Sequence, residues 1–162
     1  MLPGVTAARP CFVVCEDGTE YLDRFQRFLD DTFRFAAAGD FASALAAASG
    51  GEARGLLLDL DFRRTPPDRL VDEAGPARPG LDAGSRQRLA ETQGILILRQ
   101  LRARGVALPA LLFADLDDAE QAKFLERTLA PLTIVSSRLG IVEVAGLMRA
   151  ALAGQPGKRP SP

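Results

Sequence analysis

The sequence predicts an α/β fold, a doubly wound five-stranded parallel sheet flanked by helices, and three observations carry that prediction. Short apolar runs alternate with amphipathic stretches along most of the chain, the pattern left by βα units wound around a mainly parallel sheet. One run, Leu56-Leu57-Leu58, is unbrokenly apolar and closes on Asp59, as a strand covered on both faces should. The length of 162 residues suits one domain, large enough to bury roughly 68–70% of the surface of the unfolded chain.

The elements follow in order. Cys11–Cys15 is the first strand, and residues 19–29 form a helix with Tyr21, Leu22, Phe25 and Phe28 at helical spacing. Residues 32–36 are the second strand. Asp40, after Gly39, is placed to cap an alanine-rich helix over 41–48, which ends at Ser49-Gly50-Gly51. The third strand is 55–59. An insertion rich in proline, glycine and charge follows at 63–84, a loop or partly helical segment. Helical periodicity resumes over 85–104 through Leu89, Ile95, Leu98 and Leu101. A fourth strand covers 108–114, with Pro109 tolerated near its start. Asp117 and Glu120 resemble a capping box that opens a helix reaching about residue 129. Leu132–Val135 is the fifth strand and 142–152 the last helix. The domain is therefore expected over 10–153, between a flexible start (1–9) and a disordered tail (154–162).

Composition excludes several function classes. With 47% hydrophobic and 25% charged residues the chain is an ordinary globular sequence. A net charge of −1 gives no global attraction for nucleic acid or an anionic membrane, so neither is expected as a partner. No apolar run reaches the ~18–20 residues of a membrane span. The first ten residues lack a basic start and an apolar block, so no signal peptide is expected and the reading is cytoplasmic. Cys11 and Cys15 lie on one strand, about 13 Å apart, beyond the ~7 Å that a disulfide spans. The absence of histidine removes histidine-based triads and the usual zinc sites.

Strict alternation and right-handed crossovers favour the strand order 2-1-3-4-5, in which strands 1 and 3 are neighbours at the switch point and ligands bind beyond their carboxyl ends. Glu16 and Asp17 follow strand 1, and Asp59 and Asp61 close strand 3, so several carboxylates are expected around one crevice.

Over about residues 10–152 these features resemble the receiver domain of two-component response regulators. Val13-Val14-Cys15-Glu16-Asp17 is similar to the family's strand ending in paired acids, and Leu56-Leu57-Leu58-Asp59 to its phosphoacceptor strand. Gly39-Asp40 with Ala44-Leu45, the helix 94–102 and the strand from Leu108 to Phe113 match in order. The resemblance implies Asp59 as the phosphoacceptor position and Glu16, Asp17 and Asp59 as the residues around a Mg²⁺ ion, with no catalytic residue and no enzymatic activity. Mg²⁺ suits such a site because carboxylates and a phosphoryl group repel one another in a partly dry crevice.

The sequence also departs from the family. Where the family ends strand 4 with Thr or Ser, this chain has Ala114, which offers no hydroxyl to a phosphoryl oxygen. Where strand 5 ends with Lys, the chain has Ser136 and Ser137, with Arg138 beyond. These switch positions are degenerate, so the expected function is a pseudo-receiver-like signalling domain that binds proteins and is phosphorylation-independent or weakly phosphorylatable. An active phosphoacceptor receiver using Asp59 and Mg²⁺ is the alternative. A further alternative rests on Leu58-Asp59-Leu60-Asp61-Phe62, which resembles the first motif of haloacid-dehalogenase-type phosphatases, with Asp59 as nucleophile and Asp61 as general acid. It leaves the preceding βαβα unexplained. A binding domain with no ligand in the crevice is the third reading.

The family commonly meets partners through helix 4, strand 5 and helix 5, here about 117–152, which implies a protein partner or a homodimer on that face. No output domain is expected after it. Asp61 reads as a loop acid, Arg63 and Arg64 as a solvated charge pair, and Ser136 and Ser137 as caps of the last helix. Long insertions at a sheet's carboxyl edge are usually functional or disordered. For 63–84 both an ordered cover beside the crevice and a mobile surface loop remain open.

Overall fold

The computed structural model describes residues 7–154. The tail (155–162) and the first six residues of the expected flexible start lie outside the described residues. Five strands, β1 (Cys11–Cys15), β2 (Arg34–Ala38), β3 (Ala53–Asp59), β4 (Ala110–Phe113) and β5 (Leu132–Val135), form one sheet in the order β2-β1-β3-β4-β5. Every pairing is parallel. The helices are α1 (Glu20–Leu29), α2 (Phe41–Ser49), α3 (Ala83–Glu91), α4 (Gln93–Ala103), α5 (Ala119–Thr128) and α6 (Ile141–Ala153). The fold class and strand order are those the alternation implies.

Side chains two apart on a strand share a face, and that period divides the core. Val13, Cys15, Leu56, Leu58 and Leu112 pack with Ala44 of α2, the apolar face of α4 and Leu125 of α5. Phe12, Val14, Leu57, Leu111 and Phe113 pack on the other side with Phe25 of α1 and Val144 and Met148 of α6. Phe12 fits because its neighbour on β3 is Gly55, where a β-carbon would overlap the ring. Both cysteines are buried and free.

Four differences from expectation have a local reason, while β3 simply begins two residues earlier than expected, at Ala53. The second strand begins at Arg34, not residue 32, because the Thr32 and Phe33 amides both donate to Leu29 O at 3.0 Å and close α1 first. The fourth strand is shorter than 108–114: Pro109 has no N–H to donate, so regular pairing starts at Ala110. Asp118, not Asp117, caps α5, its carboxylate accepting from the Glu120 and Gln121 amides. The last helix starts after Gly140, so Ser136 and Ser137 do not cap it.

The largest difference is the long helix expected over 85–104. It is two helices broken at Thr92, because the chain leaving β3 takes over its backbone groups. Phe62 N–H donates to Ala90 O (2.8 Å), and Gly94 N–H donates to Leu60 O (3.0 Å). Glycine at 94 is required, since a β-carbon would overlap the Asp59 carbonyl oxygen. Helix α4 is thus fastened directly against the Asp59–Leu60 end of β3.

The insertion is anchored rather than loose. It contains a 3₁₀ turn (Pro67–Arg69) and a bridge from Val71 to Pro76, and it buries Leu70 and Val71. Gln93, 1% exposed, accepts from Val71 N–H at 2.8 Å and donates to Val71 O at 3.0 Å. Gln100 donates to the carbonyls of Asp72 and Glu73. A buried amide is costly unless it is paired, so two glutamines of α4 are committed to holding this segment's backbone.

Candidate functional site

The crevice lies at the carboxyl ends of β1 and β3. Glu16, the first residue past β1, is 4% exposed. Its two carboxylate oxygens accept from the amides of Tyr21 (3.0 Å) and Leu22 (2.8 Å), so it caps the first turn of α1. Thr19, at the N-cap position, leaves that task open because its hydroxyl donates to Asp23 instead. Burial raises the Glu16 pKa, and the two amide donors pull it back.

Asp17 has a 5% exposed side chain and meets a cation from the insertion. Its Oδ2 accepts Arg64 N–H at 2.8 Å and its Oδ1 accepts Arg64 Nη2 at 2.9 Å. The same guanidinium donates to Glu20 from Nη1 (2.7 Å) and Nη2 (3.0 Å). This is the fork-to-carboxylate geometry peculiar to arginine. It holds Glu20 at about 2, with the Arg64 hydrogen bond as the main cause. Gly18 leaves the guanidinium room, since a β-carbon there would overlap Arg64 Nη2. The expected solvated pair of Arg63 and Arg64 is corrected here: Arg64 bridges into the crevice, and Arg63 pairs with Asp61 (2.8 Å) and Glu91 (3.5 Å).

Asp59 ends β3. Its Oδ1 accepts its neighbour's amide, Leu60 N–H, at 2.8 Å, and among the described residues it has no ion-pair partner. Burial, partly opposed by that amide, raises its pKa to about 6, with Asp17, Glu16 and Asp61 adding repulsion. The Tyr21 hydroxyl feels the same field. Burial and the charges of Asp59, Glu16 and Asp115 push it to about 12, while its ring stacks on Phe113 at 4.8 Å. Asp61 is a loop acid, accepting the Arg63 amide at 3.0 Å as well as its guanidinium.

On the β4–β5 side, Ala114 is buried and bonds only through its backbone, donating to Val135 O at 2.9 Å. Instead of capping a helix, Ser136 and Ser137 bind the Asp115 carboxylate. The Ser136 hydroxyl donates to Oδ1 (2.8 Å), the Ser137 amide donates to Oδ1 (3.2 Å), and the Ser137 hydroxyl donates to Oδ2. Those donors lower the Asp115 pKa, Ser137 first. Sequence reading missed Glu20, Asp115 and the bridging role of Arg64. Asp115 lies two residues past β4 and was open to notice; Arg64, 47 residues from Asp17, has no periodic relation to it.

A divalent cation would meet acids that are already engaged. Both Glu16 oxygens already accept amides, and both Asp17 oxygens already accept Arg64. Among the described residues no group of three or more His, Cys, Asp or Glu side chains is placed to hold a metal ion. In this arrangement Arg64 supplies the positive charge that Asp17 and Glu20 share, and a cation would have to compete with it for Asp17.

No protein-family model and no curated protein matches the sequence. Solved structures do resemble it in shape. The Francisella response regulator 1452 receiver domain has 16% identity and a TM-score of 0.61, over 90% of this chain and 98% of that one. The receiver domain of NtrX from Brucella abortus has 19% identity and a TM-score of 0.63, over 89% and 99%. A two-component response regulator from Clostridium difficile has 7% identity and a TM-score of 0.62, over 90% and 98%. Of a longer NtrX chain from Brucella abortus, this chain spans 27%. Strand order, the acids at the ends of β1 and β3 and these likenesses agree: the chain has the receiver fold of response regulators.

Proposed function

We propose that the chain is a receiver-type signalling domain that acts by binding proteins, in the cytoplasm, without needing phosphorylation. The observation that carries this reading is the Arg64 bridge, which takes both oxygens of Asp17 and draws in Glu20. A phosphoryl group on Asp59 would need countercharge and donors. Ala114 offers no hydroxyl, and Ser136 and Ser137 are spent on Asp115. No catalytic residue is assigned, and no helix among the described residues is long and apolar enough to cross a membrane.

A protein partner, or a second copy of this chain, is proposed on the face of α5, β5 and α6, where Phe124 (49%) and Val142 (76%) are exposed. Active phosphoacceptance is the second reading, favoured by one observation: Asp59 accepts its neighbour's amide and has no ion-pair partner among the described residues. Incubation with a small phosphodonor and Mg²⁺, followed by intact mass, separates the two. The expected result is little acyl phosphate. Stoichiometric labelling that Asp59→Asn abolishes would establish the active receiver instead.

A further inference from the structure

The insertion carries an open trough away from the crevice. Two adjoining cavities, of about 390 and 430 Å³, share Pro67, Leu70 and Arg86 and so form one depression between the 3₁₀ turn, the segment 77–81 and α3. Each is within the ~300–1,000 Å³ range of binding pockets. The floor is apolar: Leu70 is buried, and Pro67, Pro79 and Leu81 surround it. The rim is basic. Arg78 and Arg86 line it, both exposed, and among the described residues neither side chain has a carboxylate within ion-pair distance. Arg63, at the far end, is already neutralised by Asp61 and Glu91. Asp68 is the acid that lines the trough.

We infer that this trough is a docking site for an extended acidic segment of a partner protein, one that seats an aliphatic or proline side chain on Leu70 and sets flanking carboxylates against Arg78 and Arg86. The inference rests on the reading of the domain as a protein-interaction module and places a contact surface on the insertion. Three features support it together. Charge complementarity selects an acidic occupant, because two free guanidiniums border an apolar floor. Prolines at 66, 67, 76 and 79 restrict the walls before any partner arrives, which lowers the ordering cost of binding. Gln93 and Gln100 fix the backbone of 71–73, directly after Leu70 of the floor, so the segment beside the trough is anchored to α4.

The test uses the full chain, isotope-labelled, titrated with a synthetic peptide, Glu-Asp-Leu-Pro-Glu-Asp, followed by amide chemical shifts. A hexaglutamate peptide and the Gln-Asn-Leu-Pro-Gln-Asn analogue are the controls for apolar anchor and charge. The expected result is a saturable shift confined to 67–70, 77–81 and 86, with weaker binding of both controls. The double substitution Arg78→Glu with Arg86→Glu should weaken binding by about tenfold or more, with unchanged melting temperature because both side chains are exposed. Equal binding of hexaglutamate, an unaffected double variant, or no saturable shift would overturn the proposal. Shifts centred on α5 and α6 would also overturn it, while leaving the protein-interaction reading in place. Acyl phosphate on Asp59 would bear on that reading alone.

Discussion

The crevice beyond β1 and β3 and the trough on the insertion each take an arginine from the insertion, yet they treat charge in opposite ways. In the crevice Arg64 spans Asp17 and Glu20, and Glu16 is used up on helix amides. In the trough Arg78 and Arg86 stand over an apolar floor, and among the described residues neither has a carboxylate within ion-pair distance. A receiver fold ordinarily keeps its unmet charge at the carboxyl edge of the sheet, where ligand chemistry takes place. Here most of that edge is satisfied from within, and unmet charge of the opposite sign lies on the insertion. Charge left without a partner is where an outside molecule gains most by binding, so the contrast moves attention from phosphate chemistry to protein contact.

The largest expected effect tests whether the insertion is part of the fold. Gln93→Leu keeps the volume but leaves the buried N–H and C=O of Val71 unpaired. The expected loss is about 2–4 kcal/mol, read by denaturant unfolding, with faster hydrogen exchange over 65–76 than over β1. An unchanged stability would show the insertion to be separable from the core.

Asp59→Asn sharpens the other half of the comparison. The folded pKa of about 6 stands above the ordinary value of 3.8, so the folded state holds an extra proton between those values and loses stability as pH rises through them. Above pH 6 the charged group costs about 1–3 kcal/mol. The substitution should therefore raise the melting temperature at pH 7 and have little effect below pH 4. A lowered melting temperature at pH 7 would mean that Asp59 is a satisfied structural group.

How much of this was legible in the sequence differs between fold and site. Short apolar runs alternating with helical stretches marked all five strands and their order, because that alternation is local and one chain displays it by itself. Asp40 was readable as a cap for the same local reason. The break at Thr92 was not, since Ala90 and Gly94 give up their helical roles to Phe62 and Leu60, partners about 30 residues away in the chain. Glu16 and Asp17 were placed correctly at the end of β1, but their loads come from Tyr21, Leu22 and Arg64, contacts that the folded topology creates. Ser136 and Ser137 looked like caps because a carboxylate from another strand end is invisible to local pattern.

A smaller effect concerns Glu20. Its carboxyl is held at about 2 chiefly by the Arg64 hydrogen bond, so its contribution is present above the ordinary carboxylate range and fades as pH falls toward 2. Arg64→Ala should return the Glu20 titration, followed by carboxyl carbon shifts, to the ordinary range. A Glu20 that still titrates low in the variant would show that the bridge is not its cause.

The most direct test of the closed crevice is the response of the melting temperature to millimolar Mg²⁺ in the wild type, Arg64→Ala and Asp59→Asn. A ligand that binds the folded state raises its stability. The expected result is no shift in the wild type and a Mg²⁺-dependent rise once Arg64 is removed and Asp17 is freed. A rise already present in the wild type and lost in Asp59→Asn would contradict the closed crevice and restore the metal-dependent receiver.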